Sequence, residues 1–173
     1  DKPHFLPVIP SGQYVQETLL VRLKKQLGIE ALSPVHRIDK DTAGLVLFSL
    51  DAGSRNAYQR LFRERNIHKE YEAWAPILPR HDFPVNYQCR LGEAAEFFRT
   101  AIVAGESNSE TRMRLLETSG RWARYQLEPV TGRKHQLRVH MARLAAPILN
   151  EHWYPEGRET RHDEFSQPWQ LLA

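Results

Sequence analysis

The stretch from Thr111 to Pro129 alternates apolar and polar side chains on both sides of Thr118-Ser119-Gly120. A period of two belongs to a strand with one covered face, and a turn signal between two such runs predicts an antiparallel hairpin, Thr111–Glu117 with Trp122–Pro129. This commits the middle of the chain to a sheet. Met113 and Leu115 are expected to face inward from it, with Arg112 and Arg114 facing outward.

Elements of other periods surround the hairpin. Val15, Leu19, Leu20, Leu23 and Leu27 recur at helical spacing up to Gly28, a natural stop, and predict an amphipathic helix over Val15–Leu27. Ala43–Leu50 is apolar and β-branched enough for a strand buried on both faces. A second helix is expected after it, capped by Ser54, with Ala57, Tyr58, Leu61 and Phe62 in one stripe. Lys69–Ile77 alternates as a strand with Tyr71, Ala73 and Ala75 on one side. Leu137, Met141, Leu144 and Ala145 predict a short helix ending before Pro147, on which Lys134 and Arg138 share a face. Helices and strands mix without a regular βαβ repeat, a phosphate loop or an internal repeat. The expectation is one α+β domain over residues 1–173, with a central mixed, largely antiparallel sheet flanked by helices and loops.

Composition narrows the class. A chain of 173 residues with 41% hydrophobic and 10% aromatic content can bury a core, which argues against disorder. Its single Cys89 cannot form an internal disulfide, so a reducing, cytoplasmic setting is expected. Its apolar runs are far short of a membrane span, and nothing demands more than a monomer. Beginning at Asp1, the chain reads as an excerpt cut at both ends.

The net charge of +3 is unevenly distributed. Between Arg112 and Arg143, eight positive residues stand against Glu117 and Glu128, while Asn150–Ala173 is acidic. Arg supplies 18 of the 24 cations, and its planar fork suits phosphates and flat rings, so the basic strip points to nucleic acid with the acidic tail lying away from it.

Three clusters could carry chemistry. Val35 to Gly44, V-H-R-I-D-K-D-T-A-G, sets Asp39 and Asp41 beside His36, Arg37 and Lys40 at the end of an apolar run. Neighbours there can tune a carboxylate, though both aspartates could equally be turn formers, or oxygen ligands of a divalent cation that Arg37 and Lys40 make less attractive. Thr131 to His140, T-G-R-K-H-Q-L-R-V-H, gathers Arg133, Lys134, His135 and Arg138 around the core position Leu137. His135 and His140 lack the spacing of a helical zinc pair. Tyr71 in K-E-Y-E-A is either a core tyrosine or a ring left open for stacking by its small neighbours.

In this order the three segments resemble the RluA-type family of pseudouridine synthases. The opening D-K-P-H-F-L-P-V, Pro147-Ile148-Leu149 with Tyr154, and the closing Q-P-W-Q-L-L-A are weaker echoes. Ala43 stands where many relatives place Ser, and Asn150-Glu151 where Gly-Asp is expected. The resemblance implies the pseudouridine synthase catalytic fold and isomerisation of uridine to pseudouridine in ribosomal or transfer RNA, without metal or cofactor. It makes Asp39 the catalytic carboxylate, Arg138 its ion-pair partner and Tyr71 the aromatic that stacks on the target base, with Leu137 packing against the same pocket. His36, Arg37, Arg133, Lys134, His135, Arg112 and Arg114 would then position RNA. Whether Asp39 attacks sugar or base or removes a sugar proton stays open. Two other readings compete: an RNA-binding protein of the same fold without activity, and a metal-dependent nuclease built on Asp39 and Asp41.

Overall fold

The computed structural model describes residues 1–12, 14–78, 82–96 and 98–154. The chain divides into two compact units, Asp1–His68 and Lys69–Ala173. The closing Q-P-W-Q-L-L-A and most of the acidic tail lie outside the described residues.

In the first unit, helix α1 runs Leu19–Leu27, four residues shorter at its start than the periodicity predicts. Thr18 decides the boundary. Its backbone is extended, its Oγ1 accepts the amide of Val21 at 3.3 Å, and it is fully buried, so the helix cannot extend back through it. Gly28 closes the other end in the left-handed region, at φ 68°, donating its N–H to the Lys24 carbonyl.

Ala43–Leu50 does not form the doubly buried strand expected of it. Only β2, Phe48–Ser49, forms a ladder, antiparallel to β1, Ser33–Pro34. Pro34 has no N–H to extend that pairing, and Gly44 at φ 126° turns the chain out of the extended region, making an isolated bridge to Lys2 instead. Leu45 and Leu47 are consequently 78% and 50% exposed.

Helix α2, Ala52–Arg63, is capped by Asp51 and not by Ser54. Asp51 Oδ1 accepts the Ser54 amide at 2.8 Å and Oδ2 the Ser54 hydroxyl at 2.7 Å, which places Ser54 at the third helical position. The predicted apolar stripe is largely uncovered at Tyr58 and Leu61; Phe62 stacks on the His36 ring at 4.5 Å.

The second unit is built on a four-stranded sheet in the order β3-β8-β7-β4, comprising β3 (Tyr71–Pro76), β4 (Val85–Cys89), β7 (Ser109–Ser119) and β8 (Trp122–Pro129). The short strands β5 (Leu91–Glu93) and β6 (Thr100–Ile102) pair separately. Every strand pair among the described residues is antiparallel, where the sequence reading allowed a mixed sheet.

The hairpin forms with Ser119 opposite Trp122, so its turn is Gly120-Arg121, starting two residues later than expected, with Gly120 at φ 58°. Leu116 is an extra residue bulged out between Leu115 and Glu117. Leu115 shares a register position with buried Tyr125, yet it sits where the bulge begins and stays 40% exposed.

Helix α3, Gln136–Arg143, stops before Leu144 and Ala145. Met141 and Leu137 pack with Ala73, Ala75, Met113, Ala123, Tyr125 and Leu127 of the sheet's inner face, each fully buried Leu or Met contributing about 2 kcal/mol. Tyr125 buries its ring and satisfies its hydroxyl by donating to the Pro76 carbonyl and accepting from the Leu78 amide, each at 3.0 Å. Lys134 precedes the helix, so it does not share a helical face with Arg138 as the spacing suggests.

Candidate active site

Asp39 opens a turn in the first unit. Its carbonyl accepts the Thr42 amide at 3.1 Å, so Asp39 to Thr42 is a hydrogen-bonded turn with both aspartates in it. Three contacts fix the rest of the loop. Lys2, buried to 1% exposure, donates its Nζ to the carbonyls of Lys40 (3.0 Å) and Pro3 (2.9 Å). His4 donates Nδ1–H to the Asp41 carbonyl at 2.7 Å. His36 Nε2 accepts the Leu47 amide at 3.1 Å while its ring stacks on Phe62.

Burial lowers the Lys2 pKa, and the negative charges of Asp41 and Asp39 offset that only in part. Sequence reasoning gives Lys2 and His4 no role; a lysine set beside apolar residues at positions 5–9 is the available signal. Arg37 is exposed. Among the described residues, no cluster of three His, Cys, Asp or Glu suited to a metal includes Asp39 or Asp41.

The second unit holds the remaining candidates. Tyr71 begins β3 and Leu137 lies in α3; both are half-buried and pack against the same core cluster, with Ala73 and Ala75 supplying the small neighbours. Arg138 makes a two-pronged ion pair with Glu151, Nε to Oε2 at 2.5 Å and Nη2 to Oε1 at 2.7 Å. By sequence Glu151 belongs to a solvated acidic tail. Its side chain is in fact 3% exposed. Burial alone would raise its pKa, but the hydrogen bond and charge of Arg138, helped by the backbone amides of Trp153 and Tyr154, bring it below the usual carboxylate range.

His135, expected to position RNA, is held in place by its neighbours. It sits at φ 53° before α3, its Nδ1 is 2.6 Å from the Tyr154 hydroxyl, and its ring lies against Trp153. Arg133 and Lys134 are exposed beside it, with Arg133 Nε donating to the Asn108 carbonyl at 3.2 Å.

Arg112 and Arg114 do face outward, but the sheet surface they occupy is of mixed charge. Arg112 lies opposite Glu128 and 3.9 Å from Glu110, and nearby Arg124 is held between Glu72 (2.8 Å) and Glu117 (3.1 Å). The part of the basic strip that lies on the sheet is therefore neutralised locally. Residues 1–68 contain ten Lys and Arg against seven Asp and Glu, whereas residues 69–173 balance at fourteen each.

The loop around Asp39, the aromatic strand position Tyr71 and the anchored Arg138 belong to stretches that match a known family: residues 1–143 fit the one described as RNA pseudouridylate synthase. The chain belongs to the RNA pseudouridylate synthase family. Its relatives bear out the RluA-type resemblance. The dual-specificity RNA pseudouridine synthase RluA of Haemophilus influenzae is 33% identical over 89% of this chain and 71% of that protein. An uncharacterised RNA pseudouridine synthase of Synechocystis is 33% identical over 91% of this chain and 55% of its own length. Among solved structures, human RNA pseudouridylate synthase domain containing 4 superposes with a TM-score of 0.70 at 30% identity, covering 88% of this chain and 63% of that one. The chain thus spans about half the length of the Synechocystis protein, and 28% of the mouse pseudouridylate synthase RPUSD2. The α+β fold is that of the family.

Among the described residues no helix is long and apolar enough to cross a membrane.

Proposed function

We propose that the protein isomerises specific uridines to pseudouridine in structured RNA. The match to the synthase family over residues 1–143 carries this reading. The reaction breaks the bond from ribose C1′ to uracil N1 and forms one from C1′ to C5; the C5 proton leaves and N1 gains one. Atoms balance without an added group, so a carboxylate, a counter-charge and a flat platform suffice.

Asp39 acts on the positive character that develops as the glycosidic bond breaks. Arg138 supplies the counter-charge. The target base must leave its stack to be reached, and Tyr71, with small Ala73 and Ala75 on its face and Leu137 against the same core, replaces the lost stacking. Arg37, Arg133 and Lys134, with Arg112 and Arg114 on the sheet, hold phosphates, while His36 and His135 shape the segments that carry them. The substrate class is transfer or ribosomal RNA; a Saccharomyces cerevisiae relative is named tRNA pseudouridine(31) synthase. The protein acts as a monomer in a reducing cytoplasm.

The test uses tRNA and rRNA transcripts tritiated at uridine C5, since pseudouridine formation releases that tritium. Wild-type protein is expected to release it and Asp39→Asn to release none while binding the same RNA. Turnover by Asp39→Asn overturns the assignment of the carboxylate, and a wild-type protein that binds without release is an RNA-binding member of the fold.

A further inference from the structure

Asn150-Glu151 is the point at which this chain departs from the motif pattern. Asn150 occupies the left-handed region at φ 67°, a conformation that Gly adopts freely and Asn tolerates better than most residues. The chain reverses there, with the Glu151 amide bonded to the Ile148 carbonyl at 2.9 Å, and Glu151 is carried to Arg138.

Arg138 is constrained on several sides. Glu151 occupies the edge formed by Nε and Nη2; Trp153 and Tyr154 have their ring centres 4.7 and 5.4 Å from the guanidinium carbon. Glu151 is fixed in turn by the Trp153 amide on Oε1 at 2.7 Å. Tyr154 is fixed by the Thr100 amide at 2.9 Å and by His135. A pair this buried, at 14% and 3% side-chain exposure, is a poor device for stability, because desolvating both charges offsets most of their attraction. It is a good device for orientation. A planar guanidinium gripped at one edge and flanked by rings is held in one orientation.

Resting on the synthase reading, we infer that Glu151 is a positioning residue for the isomerisation, holding Arg138 by one edge so that its guanidinium serves the reaction in a fixed orientation. Glu151 touches neither RNA nor the reacting atoms. Its effect therefore falls on the rate of the chemical step and runs through Arg138.

The experiment measures single-turnover tritium release and RNA affinity on the same tritiated tRNA and rRNA transcripts, with thermal melting to report the folded fraction. Glu151→Gln is expected to slow the single turnover by about tenfold while the RNA Kd stays within about twofold. Glu151→Asp, which keeps the charge, recovers part of the rate. In an Arg138→Lys background, where the two-pronged grip is already gone, Glu151→Gln causes little further loss. An unchanged rate in Glu151→Gln, a loss that appears in Kd or follows the folded fraction, or a full additional loss in the Arg138→Lys background would each overturn the inference. If Glu151→Gln does not fold, Glu151→Asp alone decides: a slower turnover at unchanged affinity supports the role, and a wild-type rate overturns it. Absence of release by the wild-type protein would instead overturn the synthase reading.

Discussion

The Nε2 of His140 lies 3.0 Å from the Ser109 hydroxyl, and that contact settles the tautomer of the ring. Ser109 gives its one proton to the Cys89 carbonyl at 2.7 Å, so its oxygen accepts Nε2–H. Nδ1 is then the acceptor for the Thr111 hydroxyl at 2.9 Å, whose oxygen accepts Gln136 Nε2 at 2.9 Å. The chain of donors is complete with a neutral imidazole and has no place for a second ring proton.

Stability should therefore depend on pH through His140. Burial lowers its pKa from 6.5 to about 4, and the groups against it, Tyr87 and Cys89, supply no negative charge. The unfolded chain takes up a proton as pH falls below 6.5, whereas the folded one does not until about 4. Stability from this residue is thus complete above 6.5, declines as pH falls through that window and levels off below it, a loss of at most about 3 kcal/mol. Urea unfolding at intervals across the window should show the decline in wild type and a shallower one in His140→Gln. Equal slopes in the two proteins would show that other groups control acid sensitivity.

Gln136 is the second prediction. Buried to 4% exposure, it accepts the Thr131 hydroxyl (2.7 Å) and the Arg133 amide (3.1 Å) and donates to the Glu110 carbonyl (2.9 Å) as well as to Thr111. It ties the start of α3 to β7. Gln136→Leu preserves the volume and strands several of these partners, so it should destabilise by about 3 kcal/mol in chemical denaturation. A change below about 1 kcal/mol would mean that the partners find replacements.

At Asp51 the expectation is smaller and local. Asp51→Ala removes the acceptor for the Ser54 amide and should lower stability by about 1 kcal/mol, whereas Ser54→Ala, which keeps that amide bond, should cost less. The reverse order in thermal melts would restore Ser54 as the cap.

The hairpin, the Tyr71–Ala75 face and the stop at Gly28 are legible in the sequence because each follows from local period or a single backbone preference. The Ala43–Leu50 run misleads because apolar content reports a tendency to be covered, and partners decide whether it is: Pro34 and Gly44 limit the ladder there. Thr18 and Asp51 escape notice as caps although both are standard cap residues, since periodicity in one case and a nearby serine in the other draw the boundary elsewhere. Of the proposed site, Asp39, Tyr71 and Arg138 are reached through motif order, while Glu151 looks like tail. Nothing local to residue 151 reports that an αL turn at Asn150 brings it to a helix thirteen residues earlier.

Charge neutralisation on the sheet divides the proposed RNA contacts into two sets with different expected effects. Arg112 and Arg114 share their surface with Glu72, Glu110, Glu117 and Glu128, and much of the potential they would offer a phosphate is cancelled. Arg133 and Lys134 stand exposed at the entry to α3, without an ion pair to a carboxylate among the described residues. Replacing Arg133 and Lys134 with Ala should weaken RNA binding and reduce the slope of log K against log salt by about one for each phosphate no longer held, whereas Arg112→Ala with Arg114→Ala should change it by less. Affinity measured across a salt series for the two double variants decides between them. A larger slope change from the Arg112 and Arg114 pair would place the RNA backbone along the sheet, with the glutamates displaced or charge-compensated when it binds.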